Sequence, residues 1–340
     1  MTDVTEDWVA GLPKVELHVH VEGAILPETL MRLAQKNHVD LPPKTLAEFR
    51  DWYRFTDFPH FAEVYWAFSK AIQSEEDIYQ VALAFLKTQA RQKVRHTEAT
   101  FTALTHFKNN GTAFADQIAA IRKALDEVRA TEDISLGLII DIPRDYATPE
   151  ESMMVAEWVT RHHGDGLIAA LGLGGYEPGF PPEDFARPFA LAKEAGVPAV
   201  THAGETGTAA SIRVAVEQLG AVRIGHGVAA AGDSNVLAFL KERQIPLEVC
   251  PSSNVCLKVF DAIANHPFRR MDEYGLNISL NTDDPPMFDT DLNREYLRVA
   301  QTFGYSKAEM KGFAVRAARA ALLPEAKRET LAAEIAAYAD

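Results

Sequence analysis

The sequence predicts an α/β fold, a (β/α)8 TIM-type barrel, on three observations. Short apolar runs alternate with amphipathic stretches from residue 94 to residue 281, and with a first strand near residue 14 they supply eight strand–helix units. No Gly-rich phosphate fingerprint follows the first strand, which argues against an open dinucleotide-binding sheet. Histidines and carboxylates collect at the C-terminal ends of the strands, where barrel enzymes carry their chemistry.

The first strand lies in residues 14–23, KVELHVHVEG. Val15, Leu17 and Val19 alternate with Glu16, His18 and His20, so His18 and His20 share one face. Residues 27–38 read as a helix with Pro27 in its first turn. Residues 41–60 are rich in proline and aromatics without a clear period, and 61–72 and 75–93 carry helical spacing. A helical insertion, about 41–93, therefore follows the first strand, and in a barrel it would cover the active site. Strands are expected at 94–101, 134–140, 167–173, 197–202, 222–226, 246–250 and 277–281. Helices are expected at 112–129, 149–162, 182–195, 208–219 and 234–243, with a shorter one inside 258–274. Residues 306–339 are helical and Ala-rich and should pack outside the barrel as extra C-terminal helices. No repeat beyond the unit and no domain boundary is visible, so residues 1–340 read as one domain.

The apolar fraction of 47% and the charged fraction of 24% are those of a globular protein with a large core. The 34 basic and 48 acidic side chains leave a net charge of -14. That argues against nucleic acid or an anionic membrane as main partner and says little about a small neutral substrate. The opening MTDVTEDWVA has no basic segment followed by an apolar run, which predicts a cytoplasmic protein. Cys250 and Cys256 offer no disulfide framework.

The polar groups at the strand ends form one constellation. Strand one ends in His18 and His20, strand five in THAGE with His202 and Glu205, strand six in RIGHG with His226, and strand eight in SLNTDDP with Asp283 and Asp284. Three imidazoles and a carboxylate suit a borderline divalent cation such as zinc, with a position left for water, and iron is tolerated by the same set. The expected ligands are His18, His20, His202 and Asp283. Glu205, three residues past a ligand, is placed to shuttle protons. His226 is expected to accept a proton from the activated water or to hold that water in line, and Asp284 to accept a hydrogen bond from the substrate. Gly174 and Gly175 leave room for a flat ring to reach backbone N–H groups. Strand four carries no lysine to bridge two metals, and the H-x-E…P-C-x-x-C signature of cytidine-type deaminases is missing. The remaining histidines, His38, His60, His96, His106, His162, His163 and His266, fit no ligand spacing and are read as surface or helix residues.

The ordered set PKVELHVHVEGAI, HAGE, IGHG, CPSSN and SLNTDDP resembles the adenosine deaminase family of the amidohydrolase superfamily across nearly the whole chain. The resemblance implies a zinc ion that activates water for attack at C6 of an adenine-type ring, with release of ammonia. It implies His18, His20, His202 and Asp283 as ligands, Glu205 as proton donor to N1 and His226 as the residue that orients or deprotonates the water. It implies that Asp284 accepts from the region of N7 and that the Gly175 amide contacts N3. Glu22 stands where many adenosine-specific members have Asp reaching the ribose. Gly172 and Tyr176 replace acidic residues in the strand-four loop, GLGGYEPG. The expected substrate is adenosine or another adenine-containing nucleoside. Aminodeoxyfutalosine and free adenine are the alternatives, and amide or ester hydrolysis on the same fold is a more distant one.

Overall fold

The computed structural model describes residues 2–339. Eight strands run in chain order: β1 (Lys14–His20), β2 (Val94–Phe101), β3 (Ser135–Pro143), β4 (Ile168–Gly174), β5 (Ala199–Ala203), β6 (Ala221–His226), β7 (Leu247–Val249) and β8 (Ile278–Leu280). Each pairs in parallel with the next, in the order β1 to β8. Strands buried on both faces need apolar side chains throughout, and β3, SLGLIIDIP, is buried from Leu136 to Pro143. The ring closes through a parallel bridge between Val19 and Asp283, where His20 N–H donates to the Asp283 carbonyl at 2.9 Å and Asp283 N–H to the His18 carbonyl at 3.0 Å. The result is the expected (β/α)8 barrel.

The insertion after β1 is helical as expected, with helices Leu46–Trp52, Phe58–Ser69 and Glu75–Arg91. The first of these falls where no period is legible. Thr45 starts it, its side chain accepting from Glu48 N–H, and only Phe49 of its residues is buried. The second begins three residues before the expected start because Asp57 caps it and a proline occupies its first turn. The expected 182–195 helix divides into a 3-10 turn, Pro182–Phe185, and an α-helix, Ala186–Glu194. The expected helix 149–162 is found unchanged as Pro149–His162, where Thr148 and Glu151 form a reciprocal capping box. The helix Leu292–Phe303 was not expected, although Leu292, Tyr296, Val299 and Ala300 give it a buried stripe.

Two histidines depart from the sequence reading. His96 lies within β2, buried, with its ring nitrogens on Ser135 Oγ (2.8 Å) and Glu98 Oε1 (3.1 Å). His266 is buried beyond a 3-10 turn rather than on a surface or a helix. Polar residues within a barrel strand satisfy one another at a distance in sequence, which spacing does not reveal. Among the described residues no helix is long and apolar enough to cross a membrane.

Candidate metal centre and its surroundings

The C-terminal ends of β1, β5, β6 and β8 bring the imidazoles together. His20 Nε2 lies 3.3 Å from His202 Nε2 and 3.2 Å from Asp283 Oδ1, and His18 Nε2 lies 3.4 Å from the same oxygen. His226 Nε2 stands 3.8 Å from Asp283 Oδ2 and 3.7 Å from Glu205 Oε1. His18, His202, His226 and Asp283 each place one ligand atom within 4.8 Å of the others, and His20, Asp283 and Asp284 form a second such group. The mutually close group thus holds three of the four expected ligands with His226 in place of His20, and His20 joins it through Asp283 and His202.

Hydrogen bonding on the far side of each ring separates these imidazoles. His18 Nδ1 meets Glu248 Oε2 at 2.9 Å and His202 Nδ1 meets the Leu173 carbonyl at 3.1 Å. Both partners are pure acceptors, so each Nδ1 carries a hydrogen and each Nε2 is the inward-facing atom left to bind a cation. His18 Nε2 is buried without a hydrogen-bond partner. The His18 ring is also boxed in: a Cβ at Gly225 would sit 2.7 Å from its Cε1, so only glycine fits there.

The surroundings are short of positive charge. Burial alone would lower the His18 pKa, but hydrogen bonds and charges from Asp283 and Glu248 outweigh it and push the value up to about 10. A spot that draws a proton so strongly between carboxylates suits a divalent cation, which would displace that proton. Burial, reinforced by the charges of Asp283 and Glu177, holds Glu205 well above the usual carboxylate range. Burial, with repulsion from His18, lowers His226 to about 3. Asp283 itself has a left-handed backbone, φ 70°, as does His226, φ 60°. Such strain in non-glycine residues persists where surrounding structure enforces it.

Residues without a motif hold the site together. Glu177 spans the loop after β5: its carboxylate accepts from the backbone N–H groups of Gly204, Glu205, Thr206 and Gly207 at 2.7–3.1 Å. That loop geometry fixes Glu205. Glu248, which orients His18, is held by Arg223 Nε at 2.6 Å, and Arg223 Nη2 reaches Glu98 Oε2 at 2.6 Å. All three are fully buried. A Cβ at Gly23 would fall 1.5 Å from Asp284 Oδ1, so the glycine of HVHVEG clears the path of that carboxylate.

Beside this cluster lies a cavity. His20, His202, His226, Asp283, Asp284 and Gly175 line it, as do Asp141 and Asp145. Asp141, at the end of β3 opposite Gly172, has a buried Oδ1 without a partner. Sequence reasoning missed it, since a lone Asp within IIDIP carries no motif. The insertion covers the mouth as expected: Phe58, Phe61, Tyr65 and Trp66 from one helix face the cavity, and Phe58 stacks on Tyr176 at 5.3 Å. Glu22 does not line the wall. Its Oε1 accepts from Thr102 N–H and faces His106 Nε2, both at 3.0 Å, while Oε2 is buried and unpartnered. His106 is on a helix but fully buried, in service of Glu22.

A parallel eight-stranded barrel with imidazoles and a carboxylate converging at its C-terminal rim defines a metal-dependent hydrolase of the amidohydrolase type. A family model described as adenosine deaminase matches residues 13–338. The adenine deaminase of Bordetella avium is 38% identical over 309 residues, spanning 91% of this chain and 96% of that relative. The aminodeoxyfutalosine deaminase of Streptomyces avermitilis is 36% identical over 335 residues, 97% of this chain and 92% of that one. The solved adenine deaminase of Arthrobacter aurescens superposes with a TM-score of 0.91 at 32% identity, covering 96% of this chain and 98% of that one. A zinc-bound amidohydrolase from Burkholderia ambifaria follows at 0.90 and 27%, covering 99% and 92%. The chain belongs to the adenosine deaminase family, and it is a hydrolytic deaminase acting on cyclic amidines.

Proposed function

We propose that this protein deaminates an adenine ring at C6, and that its substrate is free adenine. Water replaces the exocyclic amine, giving hypoxanthine and ammonia. The observation that carries deamination is Glu205: its buried Oε1 has no partner, faces His226 at 3.7 Å and sits beside the imidazole cluster. A carboxyl there can protonate a ring nitrogen, which turns a poor electrophile into a good one.

In this reading His18, His20, His202 and Asp283 hold zinc. When bound, the ion acts as a Lewis acid that makes water nucleophilic near neutral pH. Glu205 hands its proton to N1 as the attack proceeds. Asp284 meets the imidazole side of the purine at N7, and the Gly175 amide meets N3. His226 faces the attacking oxygen. The aromatic helix Phe58–Ser69 excludes bulk water from the ring.

The choice of free base rests on the relatives: those of Bordetella avium and Arthrobacter aurescens, 38% and 32% identical to this chain, are named adenine deaminases. Aminodeoxyfutalosine is the second reading, favoured by the relative that matches 97% of the chain.

Ammonia release from adenine, adenosine and aminodeoxyfutalosine by the zinc-loaded enzyme tests both levels. The expected result is a kcat/KM for adenine about 10²-fold or more above that for adenosine. Faster turnover of either nucleoside would overturn the choice of substrate and leave the deaminase. No ammonia from any of them, with zinc bound, would overturn the reaction.

A further inference from the structure

His226 has two chemically opposite uses: with a bare Nε2 it takes a proton from water, and with Nε2–H it donates to an oxygen. The hydrogen bonds behind the ring choose between them. The backbone N–H of Phe268 donates to His266 Nδ1 at 3.1 Å. A backbone amide has no other polarity, so His266 Nδ1 is an acceptor. Burial keeps the His266 ring neutral, lowering it to about 3, so its hydrogen sits on Nε2. His266 Nε2 faces Asn254 Oδ1 at 3.1 Å, which fixes the orientation of that amide. The Asn254 Nδ2 group then donates to His226 Nδ1 at 3.2 Å. An Nδ1 that accepts carries no hydrogen, so the hydrogen of the His226 ring lies on Nε2, which points between Glu205 and Asp283.

We infer that Phe268, His266 and Asn254 form a relay that locks His226 as a hydrogen-bond donor, so that His226 orients the attacking oxygen and is not the base that deprotonates it. His266 and Asn254 are positioning residues. All three side chains of the relay are buried, so water does not scramble the assignment from outside. Every link has one allowed polarity once the amide of Phe268 is set. A His226 with Nδ1–H would confront the Asn254 amide donor with a second donor, and reversing Asn254 would turn its amide hydrogens on the Nε2–H of His266. The relay therefore cannot be inverted one link at a time. Donation from Nε2–H stabilises the oxygen as it becomes negative at C6, the role of an oxyanion-hole donor. The water proton then goes to Glu205, which becomes a free carboxylate as it gives its own proton to N1.

The inference rests on the deaminase reading for the identity of the oxygen, but the tautomer is measured without turnover. Long-range 15N–1H correlation on the zinc-loaded enzyme with labelled histidine is expected to show His226 as the Nε2–H tautomer. An Nδ1–H tautomer, or an equal mixture, would overturn the relay whatever the enzyme deaminates. Asn254→Leu and His266→Leu keep apolar packing and remove the polarity. Each is expected to lower kcat by about 10²-fold, the size of one lost oxyanion donor, with KM little changed. His266→Gln can accept from Phe268 N–H and donate to Asn254 at once, and it should recover most of that loss. An unchanged kcat in the leucine variants, or no difference between His266→Gln and His266→Leu, would overturn the proposal. Should the variants not fold, the spectrum of the unaltered enzyme decides.

Discussion

The barrel is built from two unlike halves. From β1 to β4 the strands run for 7, 8, 9 and 7 residues. From β5 to β8 they run for 5, 6, 3 and 3. Yet Glu205, His202, His226, Asp283 and Asp284 all come from the ends of the short half, joined by His18 and His20 across the seam. The long half supplies those two histidines from β1, and otherwise gives the cavity its walls, Thr102, Asp141, Pro143, Asp145 and Gly175, and the aromatic helix of the insertion. Long ladders satisfy backbone groups by regular pairing, and that regularity leaves little freedom in where a side chain points. Short strands release the backbone early, and side chains then stand in for the missing ladder. Asn281 Oδ1 accepts from Leu17 N–H, Glu16 Oε1 from Thr282 N–H, and Glu177 from four amides of the loop after β5. Where the backbone departs from regular pairing, a buried carboxylate or amide holds it in place, and the chemistry sits at those places.

Three substitutions would break or sharpen that contrast. Asp283→Ala should have the largest effect, since the side chain faces His18, His20 and His226 together. The expected outcome is loss of stoichiometric zinc, read by elemental analysis, and a fall in kcat/KM of at least about 10³-fold. Arg223→Met is next. It leaves Glu98 and Glu248 buried without their shared cation, and Glu248 then orients His18 less firmly. Zinc affinity, read by chelator competition, should weaken about 10–100-fold, with about 3–5 kcal/mol lost in a denaturant titration. The smallest effect on chemistry belongs to the long half. Leu138→Ala in β3 removes a fully buried side chain and should cost about 2–5 kcal/mol of stability while zinc affinity and kcat stay as they were. If Leu138→Ala weakened zinc binding as much as Arg223→Met, the division between the halves would be gone.

The sequence displays the chemistry more readily than its supports. His18 and His20 announce themselves by alternation, and HAGE, IGHG and NTDDP by their places at strand ends. The strand Val94–Phe101 and the helices Pro149–His162 and Ser234–Arg243 follow from apolar period and caps, which are local signals. Glu98, Arg223 and Glu248 are different. Each is a charged residue inside a strand, where alternation predicts nothing about a partner more than a hundred residues away. Glu177 looks like a loop acid, and His266 and Asn254 look like surface polar residues, until folding buries them against one another. Local pattern encodes which groups the rim carries. The pairing that aims them is a long-range property, legible only once the ring is closed.

The bridge at Val19 and Asp283 joins the first strand to the last through the same residue whose carboxylate faces the imidazoles. The residue proposed as a ligand therefore also fastens the cylinder: any shift of the 283 backbone would disturb the aim of the carboxylate and the seam of the ring together.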